Sequence, residues 1–293
     1  MRDAHHLPGD DDPADPLPGL AGSTSDAGAG TAEPACFDQV LADTFSVRCH
    51  AGHRLEAYAD LLGPLVVSAS SLEDFRADLP SGTHALPVHL VADPADDRDG
   101  LTTLREARNG LFDDDRVEIT GVQLALPADA DPGAAAALLL QILDFSAPTW
   151  LQVPLVDGWE AALDVVAEDG TENVAVRGDA APDLLAAFVR RAVDLDVAFR
   201  VTGDVGSVRG PDPGTGVAGA GLLNVLCAVR AAADGAGPPD LARILAATAH
   251  APLISAVRAM RAADAVAVRR LVTTVDTSDV GGLVQDLLAF GLL

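Results

Sequence analysis

Arginine and aspartate residues lie where several predicted strands end. Arg177 and Arg200 belong to two neighbouring strands, and Gln152 lies on an earlier strand. Asp204 follows the strand that carries Arg200, and Asp276 follows the last strand. A guanidinium suits the recognition of a carboxylate or a phosphate, and an aspartate is a candidate general base. The sequence therefore predicts a site for a small anionic metabolite, with the arginines and Gln152 binding it. Asp204 or Asp276 is expected to act as the catalytic base.

A glycine-rich stretch after the seventh predicted strand offers a second binding element. Gly214, Gly216 and Gly219 match the spacing G-x-G-x-x-G and open a predicted helix, whose backbone amides suit an anion. The motif starts well after the strand ends, and Asp234 follows the helix instead of a next strand, which argues against dinucleotide binding. In a barrel, however, the loops after strands seven and eight form the usual phosphate site. The other interpretation is a flexible loop in a chain rich in glycine and alanine.

The composition excludes several kinds of chemistry. All 19 basic residues are arginine, and a chain without lysine cannot form a Schiff base or supply a P-loop lysine. The formal net charge of −25 leaves no basic field for a nucleic acid or an anionic membrane, so neither is an expected partner. The seven histidines are scattered along the chain, so neither a metal nor another cofactor is predicted.

The elements that position these residues alternate along the chain. Short β-branched runs are separated by amphipathic stretches rich in alanine and leucine, of which 182–195 has a clear helical spacing. Eight runs are predicted to be strands: 45–49, 65–70, 86–92, 117–126, 150–156, 173–178, 197–203 and 268–275. Eight βα units predict a (β/α)8, TIM-barrel-like α/β fold, whose buried parallel strands read as near-continuous apolar runs. The alternative is a doubly wound open parallel sheet.

Two regions of different composition divide the chain. Residues 1–35 are rich in proline, glycine, serine and aspartate, which predicts a disordered acidic tail, and residues 36–293 are predicted to form one TIM-barrel-like domain. The N-terminal segment lacks the apolar core of a signal peptide, and no apolar run approaches the ~20 residues of a membrane span. The three cysteines are scattered, so a cytoplasmic protein with reduced thiols is expected.

Short motifs around the seventh strand and at both ends of the predicted barrel are distinctive. Their residues read LGPLVVSASSL at 62–72, FRVTGDVGSVR at 199–209, DPGTG at 212–216, GLLNVL at 221–226 and AFGLL at 289–293. These stretches resemble a family of uncharacterised actinobacterial TIM-barrel-like proteins, over most of residues 45–293.

The resemblance implies functional residues that this chain has lost. The family places a lysine where this chain has Arg200, and paired histidines where it has Gly206 and Ser207. A second histidine pair would fall at 218–220, whereas Arg177 matches an arginine that the family carries after its sixth strand. The chain is therefore identified as a degenerate member of that family, and a pseudoenzyme is one of its expected forms.

Two functions remain compatible with the sequence. The first is a lysine-independent lyase or isomerase that acts on a small anionic metabolite. The second is a non-catalytic scaffold or protein-binding module, because inward-pointing Arg–Asp pairs also fill barrel interiors without doing chemistry. The alanine-rich helices and the apolar segment 283–293 offer a surface for a protein partner or for a second copy in a homo-oligomer. The fold alone does not decide between the two functions.

Overall fold

The chain forms a closed barrel of eight parallel strands in sequence order. The computed structural model describes residues 35–80, 85–92, 99–170, 173–203 and 219–293. The strands are β1 (Leu41–Asp43), β2 (Leu62–Ser68), β3 (Leu86–Val91), β4 (Val117–Ala125), β5 (Thr149–Gln152), β6 (Asn173–Arg177), β7 (Phe199–Thr202) and β8 (Val272–Thr277). Because β8 pairs with β1, the sheet has no free edge. The predicted (β/α)8 barrel is confirmed, and the alternative of an open sheet is wrong.

Helices surround the barrel and connect its strands. They are α1 (Val47–His53), α2 (Leu72–Asp78), α3 (Gly100–Leu111), α4 (Pro132–Ile142), α5 (Trp159–Asp169), α6 (Pro182–Leu195), α7 (Leu222–Ala233), α8 (Pro238–Leu245), α9 (His250–Arg258), α10 (Ala262–Leu271) and α11 (Val280–Ala289). Aspartates cap several of them. The Asp131 carboxylate accepts a hydrogen bond from the Ala134 amide at 2.7 Å, beside Pro132 in the first turn of α4. Asp279 caps α11 in the same way.

The first strand differs from its predicted position. The run 45–49 is not a strand, because the Ser46 hydroxyl accepts a hydrogen bond from the Cys49 amide at 3.2 Å and thereby starts α1. A serine at a helix N-cap outweighs a short β-branched pattern. The strand lies earlier, at Leu41–Asp43, and α1 places the buried His50 beside it, with Nδ1 3.4 Å from Oδ2 of Asp43.

The last strand also starts later than predicted. Val268 and Leu271 belong to α10, and both side chains are buried in the core on one face of that helix. β8 therefore begins at Val272. The predicted run joined the end of a helix to the strand that follows it directly, with no loop to separate their patterns.

Residues 1–34 of the predicted tail lie outside the described residues. Within the described ranges, no helix is long and apolar enough to cross a membrane.

The apolar core lies between the barrel and its helices. Strand residues at alternate positions face outward, and Leu90 on β3 and Leu151 on β5 are fully buried in this way. Leu104 on α3 and Leu163 on α5 are buried in the same two clusters, so each helix covers the strands beside it. The remaining strand positions face the interior of the barrel.

The inward-facing residues form levels of four, because alternate strands reach the same height in a staggered barrel. Following the pairing register from strand to strand, the lower level consists of Ala42, His89, Trp150 and Arg200. The upper level, nearer to the carboxyl ends of the strands, consists of Val66, Gln123, Ala175 and Asp276. Branched aliphatic side chains usually fill a barrel interior, whereas these two levels carry five large polar or polar-aromatic side chains.

Gly121 of β4 leaves room for the aromatic side chains of the lower level. A Cβ atom at this position would lie 2.5 Å from Cζ3 of Trp150 and 2.7 Å from Nδ1 of His89. Neither ring can bend away, so only a residue without a side chain fits here.

We expect Gly121→Ala to lower the free energy of unfolding by about 1 to 3 kcal/mol, because it overpacks the interior. Gly52→Ala is the control, since a Cβ there meets nothing within 4 Å and alanine favours a helix. Chemical denaturation of both variants measures the difference, and equal stability of Gly121→Ala and the wild type would contradict the proposed packing.

Candidate active site in the barrel interior

A buried ion pair joins the last two strands of the barrel. Arg200 Nη2 on β7 donates a hydrogen bond to Oδ1 of Asp276 on β8. Arg200 has no exposed surface and Asp276 is 5% exposed. Both residues were predicted to belong to the site, and the structure brings them into direct contact.

Only one of the three guanidinium nitrogens of Arg200 is used by this pair. In the described part of the chain, Nε and Nη1 have no hydrogen-bond partner, and the same holds for His89 Nε2, Trp150 Nε1 and Gln123 Oε1. We call these five atoms the open polar atoms. They belong to four inward-facing residues of the two adjacent levels. A buried polar atom without a partner costs about 1 to 3 kcal/mol, so five in one interior point to a ligand or to water that is bound there.

His89 and Trp150 form one wall of the interior. Their rings meet edge to face, with centroids 4.7 Å apart and an interplanar angle of 62°. Burial of the imidazole, and then the positive charge of Arg200, hold the pKa of His89 well below its ordinary value of 6.5. The His89 ring is therefore neutral at pH 7, and one of its nitrogens carries a proton and the other does not.

Two glutamines on neighbouring strands stand above this wall. Gln123 Nε2 donates a hydrogen bond to Oε1 of Gln152 at 2.8 Å. Gln152 was predicted as a binding residue, and the structure places it at the carboxyl end of β5 beside Gln123 of β4. The bond fixes which way the Gln123 amide faces.

Arg177, the other predicted anion ligand, lies at the rim. Its side chain is 57% exposed, and it forms two hydrogen bonds with the Asp179 carboxylate, at 2.9 Å from Nε and 2.5 Å from Nη2. These bonds lower the pKa of Asp179. The two arginines that were predicted to hold one anion thus pair with two different carboxylates.

Three predicted site residues, Asp204, Gly214 and Gly216, lie outside the described residues. Among the described residues, no three His, Cys, Asp or Glu side chains lie together in a way that could hold a metal ion. The positive charge of Arg200 next to His89 also disfavours a cation in the interior.

Sequence reasoning missed Trp150 and gave His89 no role. The signal was present in the alternation of the strands, because Gly121 and Gln123 share one face of β4, and Trp150 and Gln152 share one face of β5. Polar side chains at alternate positions of a buried strand indicate an inward face with a role in binding or chemistry as well as in packing.

Comparisons of this chain with protein-family models, with curated proteins and with solved structures found no match.

The neutral His89 makes stability depend on pH. The folded state holds His89 without a proton, whereas the unfolded chain takes one up below its ordinary pKa of 6.5. This contribution to stability is complete above that pH. It is lost as the pH falls below it, by up to about 1.4 kcal/mol per pH unit.

We therefore expect the wild type to lose more stability than His89→Gln between pH 7.5 and pH 5.5. Urea denaturation of the two proteins across this range gives the difference, with each protein at pH 7.5 as its own reference. Parallel curves would show that His89 takes up a proton as readily in the folded chain as in the unfolded one.

Proposed function

We propose that the barrel interior binds a small oxyanion on Arg200, and that the protein is a lysine-independent lyase or isomerase acting on such a metabolite. The observation that carries this proposal is the set of open polar atoms beside a fully buried guanidinium. Nε and Nη1 of Arg200 and the indole N–H of Trp150 are donors, and neutral His89 donates as well when Nε2 carries its proton. A cluster of buried donors around a positive charge is complementary to an anion.

Asp276 is the group that we propose to accept the proton of the substrate. A guanidinium beside a carboxylate favours its charged form, which is the form that acts as a base. The substrate anion and Asp276 would both contact Arg200, so binding places the carbon next to the anionic group near the base. Neutral His89 can polarise a carbonyl group as an uncharged hydrogen-bond donor.

Arg177 has a lesser role in this scheme. Its guanidinium is already held by Asp179 and remains more than half exposed. A charge in that position at the rim contributes to the attraction of an anion toward the barrel, with little effect on the affinity of the bound state.

The rival proposal is a non-catalytic barrel that serves as a scaffold or binds a protein. The observation in its favour is that Arg200 and Asp276 neutralise each other, as a structural ion pair does. The open polar atoms argue against it, because a purely structural interior would be more stable with apolar residues in their place.

The remaining expectations about the setting of the protein also stand as proposals. The three cysteines form no disulfide, and burial raises the pKa of the Cys36 thiol to about 12, which fits an unreactive thiol in a reducing cytoplasm. The excess of acidic residues supports a partner other than a nucleic acid. Membership of the actinobacterial TIM-barrel-like family rests on the resemblance of the motifs alone.

Inorganic phosphate and acetate test the binding of an anion. We expect both to raise the melting temperature of the wild type. At a concentration one hundred times Kd, binding should increase the free energy of unfolding by about 2.7 kcal/mol. Arg200→Lys keeps the charge and removes the planar N–H groups, so it should weaken binding about ten- to one-hundred-fold. Arg243→Lys, which changes an exposed arginine paired with Asp240, is the matched control.

Fluorescence locates the bound anion, because the chain has only two tryptophans. Trp150 lies in the interior, whereas Trp159 on α5 packs against Phe188, with ring centroids 5.8 Å apart. Anion binding should change the emission of the wild type and of Trp159→Phe, and leave Trp150→Phe unchanged. A response that persists in Trp150→Phe would place the anion elsewhere and refute the proposed site.

Exchange of a substrate proton with D2O tests the catalytic role of Asp276. The wild type should exchange the C–H proton next to the carbonyl or carboxylate group of an accepted ligand, and Asp276→Asn should do so about 10²- to 10⁴-fold more slowly. The same variant leaves the buried charge of Arg200 uncompensated, which costs about 3 to 5 kcal/mol of stability.

The loss of stability in Asp276→Asn provides the control for the exchange experiment. A bound anion compensates Arg200 when Asp276 is gone, so phosphate should stabilise Asp276→Asn more than it stabilises the wild type. Slow exchange together with stronger stabilisation by phosphate separates loss of the base from loss of the fold. Binding without any exchange in the wild type would favour the non-catalytic barrel.

A further inference from the structure

Among the open polar atoms, Oε1 of Gln123 is the one that can only accept a hydrogen bond. Its side chain is 5% exposed, and Oε1 is a buried acceptor in an interior whose other open atoms are donors or belong to neutral His89. An amide has one acceptor oxygen and a nitrogen that can only donate. The ligand that completes the donors of Arg200 with its anionic group must therefore also bring a donor for Gln123.

The acceptor is held in place. Gln123 Nε2 donates to Gln152 at 2.8 Å, which turns Oε1 away from β5. β4 and β7 lie three strands apart in a barrel of eight, so Gln123 and Arg200 enter the interior from different sides. A ligand that touches both must carry its anion and its donor on different atoms.

We propose that the ligand is a small hydroxycarboxylate, with its carboxylate on Arg200 and its hydroxyl donating to Gln123 Oε1. This assignment rests on the proposed anion site. A hydroxyl fits better than an ammonium group, because the interior already holds the positive charge of Arg200 and keeps His89 neutral.

The interior also limits the size of the ligand. Ala42 pairs with Asp276 and Ala175 pairs with Arg200, so the two residues beside the ion pair in the sheet have short side chains. The rings of Trp150 and His89 occupy two further places in the lower level. We therefore expect a ligand with a short chain of a few carbon atoms and not a sugar ring or a nucleotide.

The experiment compares lactate with propionate, and glycolate with acetate, since each pair differs by the hydroxyl group alone. Titrations on Trp159→Phe, read from Trp150 fluorescence, should give a Kd at least about tenfold lower for the hydroxy acid, because the analogue leaves Gln123 Oε1 without a partner. Gln123→Met keeps the length of the side chain and removes the acceptor. It should bring the two acids of each pair to within about twofold of each other.

Gln152→Met provides a second variant at a half-buried position, with less risk to the fold. It removes the bond that orients Gln123, so the preference for the hydroxy acid should fall without vanishing. Arg200→Lys should weaken all four acids to a similar extent. This pattern separates the group that binds the anion from the group that selects the hydroxyl.

The outcomes also separate this inference from the function on which it rests. Equal affinity for lactate and propionate in Trp159→Phe, with dependence on Arg200, would overturn the hydroxyl assignment and leave the anion site standing. A preference that survives Gln123→Met would overturn the role of Gln123. Failure to bind any of the four acids would overturn the proposed function itself, and the hydroxyl assignment with it.

Discussion

The ion pair between Arg200 and Asp276 is the interaction on which the barrel interior depends. A guanidinium without exposed surface requires a negative partner, because the net cost of an isolated buried charge is several kcal/mol. The neighbouring residues then have to tolerate the remaining positive character. His89 stays neutral, and Trp150 offers only an uncharged N–H donor, so neither residue adds a second positive charge. This arrangement is the basis of the proposal that the interior binds an anion and not a cation or an apolar ligand.

The order of elements could be predicted from the sequence, because it depends on local patterns. Helix α6 spans the predicted residues, 182–195, since Pro182 starts it and Asp196 ends it in the left-handed conformation. Strand β1 could not be found in this way. It has three residues, too few to show a period, and it exists because β2 and β8 pair with it from both sides. Such pairing is a property of the closed sheet.

Only those residues of the candidate site that lie near the ends of predicted strands could be found from the sequence. Arg200, Asp276 and Gln152 follow from reading those ends, and all three lie in the interior. Arg177 also lies at a strand end, but it does not join the interior site, because its guanidinium pairs with Asp179 two residues later. Trp150 lies in the same level as Arg200 because of the stagger of the barrel strands. The stagger depends on how all eight strands pair, so the sequence of a single strand does not reveal it.

The absence of lysine has a different meaning once Arg200 is seen in place. The family that the chain resembles implies a lysine at this position, so the substitution first indicates a lost activity. An ammonium group has one nitrogen, and an ion pair with Asp276 would hold it on that side. A guanidinium binds Asp276 through Nη2 and still presents Nε and Nη1 in fixed directions. In the proposed function, Arg200 therefore offers rigid recognition of an anion, and it would hold the base and the substrate on one side chain.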